Sequence, residues 1–175
     1  MDLGELLRNT WSLLIYMLPA MTANGAPVVA SKFFGQGTPI DGGRYWKDGR
    51  RLLGDGKTWE GFLAGTLTGI LTGLILGLFL GDIVERVVLG LLAGLGAMMG
   101  DIVGSFIKRR LGLERGARAP LLDQLDFYVG ALLFLYLGGL RFDWAAVLLL
   151  AVIVVILHMC TNYLAYIIGI KKVPY

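Results

Sequence analysis

GFLAGTLTGILTGLILGLFLG, residues 61–81, carries no charged side chain and places glycine at 61, 65, 69, 73, 77 and 81. A helix needs about 20 apolar residues to cross the hydrocarbon core of a bilayer, and this stretch supplies them. Spacing of four keeps the glycines on one helix face, where a neighbouring backbone can approach closely. That face reads either as a groove for a lipid chain or as a tight helix–helix seam. A shorter version of the pattern follows in Gly96, Gly100 and Gly104.

The rest of the chain has the same character. Of its 175 residues, 56% are hydrophobic and 17% charged, and the mean hydropathy is +0.69. Both place it among membrane proteins. Five apolar spans can be drawn, at 3–22, 61–80, 83–107, 124–140 and 143–169. The fourth is marginal in length for a crossing helix. The expected fold is therefore an all-α polytopic membrane protein, one domain over residues 1–175, with two loops at 23–60 and 108–123. The first span opens with Asp2 and Glu5 rather than with bases, so it is expected to be retained and not cleaved as a signal peptide.

Charge sets the expected orientation. Lys32, Arg44, Lys47, Arg50, Arg51, Lys57, Lys108, Arg109, Arg110, Arg115, Arg118, Lys171 and Lys172 all fall on one side of such a topology. Only Arg8, Arg86 and Arg141 fall on the other. The positive-inside rule puts both loops and the C-terminus in the cytoplasm and the N-terminus outside. A net charge of +3 suits anionic headgroups or nucleotides. The bases flank spans instead of forming an arm with interleaved aromatics, so nucleic acid is not implied.

GDIVGSFIKRRLGLERGARAPLLDQLDF, residues 100–127, carries the chemistry. Asp101, Ser105 and Lys108 fall at i, i+4 and i+7 on one helix face. Asp123 and Asp126 follow Pro120, three residues apart. Taken alone, Asp123 reads as well as a helix N-cap, and Asp126 as well as a first-turn charge favoured by the macrodipole, as either does as a metal ligand. With Asp101 and five bases nearby they point instead to Mg²⁺ and phosphate, because Mg²⁺ takes a few carboxylates plus substrate oxygens. Some of the five bases are expected to be topogenic anchors only.

The first loop adds Gly54-Asp55-Gly56-Lys57-Thr58. It has the tail of a P-loop, but Arg51 stands where the first glycine is required and no strand precedes it. A glycine-rich turn opening a helix still presents N–H groups to phosphate, with Lys57 as the charge. Pro19 and Pro27 are expected to bracket a break in the first helix, with Asn24 facing a polar cavity or capping broken backbone, and Lys32 beyond. His158 and Cys160 are the single residues of their type, which excludes a disulfide and a Cys/His zinc site. His158 is expected to be an interhelical hydrogen-bond partner.

Gly100-Asp101-x3-Ser105-x2-Lys108-Arg109 followed by Asp123-x2-Asp126-Phe127 resembles the signature of the CDP-diglyceride synthetase superfamily. The stretches Ala23-Asn24-Gly25-Ala26-Pro27-Val28 and Gly54-Asp55-Gly56-Lys57-Thr58-Trp59 resemble its archaeal branch, the CDP-archaeol synthases. The bacterial His-Gly-Gly segment is missing, with Ala119-Pro120-Leu121-Leu122 in its place. The resemblance implies a cytidylyltransferase that joins CTP to 2,3-bis-O-(geranylgeranyl)-sn-glycerol 1-phosphate and releases pyrophosphate. It implies Mg²⁺ on Asp101, Asp123 and Asp126, with Lys108 also catalytic. Lys57, Lys108 and Arg109 would hold the triphosphate or lipid phosphate. Asn24, Lys32, Asp55, Gly56 and Ser105 would complete the substrate pocket. On the residues alone, a small polytopic transporter or channel component for an anionic solute stays open.

Overall fold

The chain was analysed as a computed structural model, which describes residues 2–114 and 116–170. Arg115, Lys171 and Lys172, used above for orientation, lie outside the described residues. Among the described residues five helices follow one another: α1 (Leu3–Phe34), α2 (Trp59–Leu80), α3 (Ile83–Arg110), α4 (Leu122–Leu137) and α5 (Trp144–Ile167). All but α4 are long and apolar enough to cross a membrane. At 16 residues, α4 is about 24 Å long against a hydrocarbon core of about 30 Å.

The first helix corrects the sequence expectation. It runs unbroken for 32 residues through Pro19 and Pro27, so the first loop begins at Gly35 rather than at residue 23. Asn24 and Lys32 are helical residues. A proline frees one carbonyl, whereas unwinding the helix inside a bilayer would free several backbone groups with no water to meet them. Continuity is the cheaper solution. Asp2 caps the start of α1 by accepting the Glu5 N–H at 2.6 Å, and Thr58 caps α2 by accepting the Gly61 N–H at 3.1 Å.

Glycine seams set the packing. A Cβ at Gly69 would lie 2.7 Å from the Gly90 carbonyl oxygen, and one at Gly73 would lie 2.3 Å from that of Arg86. So α2 and α3 meet backbone to backbone, and the ladder is a helix seam, not a lipid groove. The same device joins α3 to α4, where a Cβ at Gly130 would lie 2.2 Å from the Gly96 carbonyl oxygen. Around these seams Met17, Ala93, Ala97, Ala131, Leu135 and Leu150 form a core closed to solvent. The Tyr128 hydroxyl donates to the Val147 carbonyl at 2.8 Å and ties α4 to α5.

The end of α1, the start of α2, the end of α3, the start of α4 and the end of α5 meet at one end of the bundle. The 35–58 loop is fastened there to α3. Arg110 donates to Asp48 at 2.6 Å and to the Arg51 carbonyl at 2.6 Å. In return Arg50 donates to the Arg110 carbonyl at 2.8 Å. Trp46 stands edge-on to Phe106, with ring centroids 5.5 Å apart.

Candidate active site

One large cavity, about 1360 Å³, opens at this loop end and descends between the helices. Its walls include the second half of α1, the start of α2, α3 from Met98 to Lys108, the start of α4 and α5 from Val154 to Ala165. The buried core of α1 ends at Ala23. Beyond it the helix lines the cavity, Asn24 included.

The cavity gathers most of the charged residues singled out from the sequence. Lys57 forms an ion pair with Asp101. Lys108 pairs with Asp123 at 2.7 Å, and the other Asp123 oxygen accepts the Ala119 N–H at 2.9 Å. Asp123 is therefore not the N-cap of α4; Leu121 holds that position, with φ of 66°. Asp101 lies nine residues before the end of α3, which sets it about 13 Å below the helix terminus. The site is recessed into the bundle below the end of α3.

Asp126 is seated by glycine. A Cβ at Gly104 would lie 2.3 Å from Asp126 Oδ2, and one at Gly100 would lie 2.1 Å from the Asp126 carbonyl oxygen. Oδ1 accepts its own neighbour's N–H, that of Phe127, at 2.7 Å. Glycines 100 and 104 thus face α4.

The three aspartates do not converge as one ligand set. Among the described residues no three acidic, histidine or cysteine side chains are grouped as metal ligands. Like charges repel strongly at low dielectric, and Asp101 and Asp123 are each turned to a lysine instead. Asp101 and Asp126 still offer hard oxygens on one cavity wall, which fits Mg²⁺, an ion held by one or two carboxylates plus phosphate.

Asp55 and Gly56 line the cavity mouth beside Lys57. Three expected residues stand outside its lining. Ser105 is buried in the helix packing. Arg109 folds back to donate to the Leu113 carbonyl at the end of α3. Lys32 reaches out to the Gly169 carbonyl beyond α5 at 2.9 Å. Each basic side chain satisfies a carbonyl of the chain just beyond a helix end.

Sequence reasoning missed other wall residues. His158 and Asn162 face the cavity from α5 with Val154, Thr161 and Ala165. His158 lies against Phe127, ring centroids 6.0 Å apart. Two polar residues four apart in an otherwise apolar span were the available signal. Glu60 also lines the cavity, and its carboxylate accepts the Thr38 N–H at 2.7 Å and the Thr38 hydroxyl at 2.9 Å.

A bundle of long apolar helices with lysine–aspartate pairs in a recessed cavity defines an integral-membrane protein built around a charged site. A solved structure of an intramembrane enzyme for archaeal membrane lipids biosynthesis has this fold, with a TM-score of 0.82 and 47% identity over 88% of this chain and 94% of that one. The CarS-like, CDP-archaeol synthase family matches residues 6–175, and the chain belongs to that family. It is similar to the CDP-archaeol synthase of Sulfolobus acidocaldarius, 50% identical over 93% of this chain and 96% of that protein. That of Hyperthermus butylicus is 48% identical over 93% and 94%. That of Thermococcus onnurineus is 45% identical over the whole of both. Membership of a synthase family, with an enzyme as structural neighbour, sets the transporter or channel alternative aside.

Proposed function

We propose that the cavity is where a lipid phosphate from the bilayer meets CTP from water, and that the chain is a CTP-dependent cytidylyltransferase making a CDP-activated ether lipid. The substrate best matched to the family is 2,3-bis-O-(geranylgeranyl)-sn-glycerol 1-phosphate. The observation that carries this reading is the grouping of Lys57–Asp101, Lys108–Asp123 and Asp126 in one recess reached both from the loops and from within the bundle. Cations and carboxylates at hydrocarbon depth are costly and mark a functional site.

A lipid phosphate dianion is already nucleophilic, so no general base is required. One of its oxygens bonds to the α-phosphorus of CTP. The bond from that phosphorus to the bridging oxygen breaks, and pyrophosphate leaves with the electron pair. The protein's task is positioning and charge neutralisation. Lys57 and Lys108 are held in place by Asp101 and Asp123 and would transfer to phosphate oxygens when substrates enter. Asp101 and Asp126 would hold Mg²⁺, which when bound supplies neutralisation of triphosphate charge, and Asp123 would hold Lys108 until substrate arrives or join the metal once Lys108 has moved to phosphate. We place both loops on the cytoplasmic side, in keeping with their excess of bases.

The test is direct. Purified protein is given CTP and the ether-lipid phosphate, with Mg²⁺ or with chelator, and CDP-lipid is read out. Product only with Mg²⁺ is expected. Folded protein that forms no product overturns the function, and equal product in chelator overturns the metal.

A further inference from the structure

Asp41 sits in an otherwise exposed loop, yet its side chain is 1% exposed. Every direction around its carboxylate is used. Oδ1 accepts the Gly43 N–H at 3.0 Å and Arg51 Nη2 at 2.9 Å. Oδ2 accepts the N–H groups of Leu53 and Gly54, both at 3.0 Å. Burial alone would raise its pKa, but the Arg51 guanidinium and the three amides outweigh that and hold the carboxyl well below the usual carboxylate range. Such density of bonding at a loop aspartate points to something being held.

What it holds is the turn that enters the cavity. Gly54 takes φ of 94°, in the region that favours glycine. The Lys57 N–H then donates to the Gly54 carbonyl at 3.2 Å, and the Ile40 N–H, next to Asp41, donates to the Lys57 carbonyl at 2.8 Å. Both ends of Gly54–Lys57 are thus pinned from the Ile40–Asp41 segment. Arg51 adds a second arm, pairing through Nη1 with Asp55 at 2.7 Å while Nη2 stays on Asp41. Asp55 and Lys57, the two charges of the turn, therefore inherit their placement from a carboxylate that does not line the cavity.

We propose that Asp41, acting through Arg51 and the Gly54 amide, is a positioning residue for the nucleotide. It fixes the turn that presents Asp55 and Lys57 at the water-facing mouth. The inference rests on reading that mouth as the CTP end of the site. The lipid arrives from hydrocarbon, away from this loop, so the effect is selective for CTP. An asparagine at 41 could accept on one atom only and would aim an amide at backbone N–H groups, leaving Arg51 charge-paired with Asp55 alone.

The experiment is steady-state kinetics of full-length protein in vesicles. Asp41→Asn is expected to raise the CTP KM by about tenfold or more, the loss of one charge-assisted bond. The lipid-phosphate KM and kcat at saturating CTP are expected to stay near wild type. Combined with Lys57→Gln, its effect is expected to shrink, because the turn then has less to position. Arg141→Gln, in the α4–α5 turn at the other end of the bundle where the side chain meets the Tyr136 and Leu140 carbonyls, is the control and leaves the CTP KM unchanged. Should Asp41→Asn fail to fold, Arg51→Lys keeps the amide bonds and loses the two-armed bridge, and a CTP-selective rise in KM is again expected. An unchanged CTP KM, or a joint loss in both substrates with full additivity to Lys57→Gln, overturns the positioning role while wild-type turnover stands. Absence of wild-type turnover instead overturns the reading of the site beneath it.

Discussion

The two faces of α3 are built from the same residue and do different things. Toward α2, Gly90 and Gly94 meet Gly69 and Gly73, and any added Cβ would strike backbone. Toward α4, Gly96 and Gly100 also meet backbone, but Gly104 meets the side chain of Asp126. Through Gly69, Gly73, Gly90 and Gly94 the first seam is backbone against backbone, and only its loop end, at Gly61, Ala64 and Met98, borders the cavity. The second opens at its loop end into the charged cavity. Close approach is what glycine supplies in both; the partner's side chain decides whether it yields adhesion or a placed carboxylate.

The largest expected effect tests whether the second seam carries the chemistry. Asp126→Asn or Asp101→Asn is expected to abolish turnover, by a hundredfold or more on the scale of about 3 kcal/mol for one electrostatic contact to the reacting groups. Folding in detergent should be retained, read by a thermal melt. Near wild-type rates in both would mean the seam only packs.

Glycine substitutions break the comparison more directly. Gly73→Ala places a Cβ 2.3 Å from the Arg86 carbonyl oxygen, which cannot move without separating α2 from α3. A loss of about 1–3 kcal/mol in stability is expected, with turnover per folded molecule preserved. Gly104→Ala displaces the Asp126 carboxylate instead, so turnover should fall while the melting temperature moves little. The same outcome at both positions would erase the distinction between the seams.

A smaller effect is expected at the lysines. Lys57→Gln or Lys108→Gln should weaken CTP or lipid-phosphate binding by one to two decades, about 1.5–3 kcal/mol per charge-assisted bond. Arg109→Gln, at a residue outside the cavity lining, should change binding far less. Equal losses at all three would restore Arg109 to the site.

The smallest effect is one of pH, in the loop above the cavity. The pKa of Asp41 is depressed in the folded protein, so its stabilisation is complete above the ordinary carboxylate value of about 4 and is lost as pH falls below it. Exchange protection of the Leu53 and Gly54 amides should therefore hold to about pH 4 and decline in stronger acid. Asp41→Asn should lack that acid transition. A wild-type loop equally protected at pH 2 would show that Asp41 is not what fastens it.

Much of this protein was determined by its sequence alone. Uncharged blocks of crossing length require helices, since lipid offers no other partner for backbone groups. Glycines four apart require a close neighbour on one face, and the Asp101–Lys108 and Asp123–Asp126 spacings placed charge where the cavity opens. Tertiary structure decided the remainder. Whether Pro27 breaks α1 depends on the cost of freeing backbone inside a bilayer, which local propensity does not contain. Lys108, Arg109 and Arg110 are consecutive and chemically alike, yet one meets Asp123, one the Leu113 carbonyl and one Asp48. A helix turns about 100° per residue, so three neighbours face three different surroundings. Which of them faces the cavity is settled only by what packs against each side of α3.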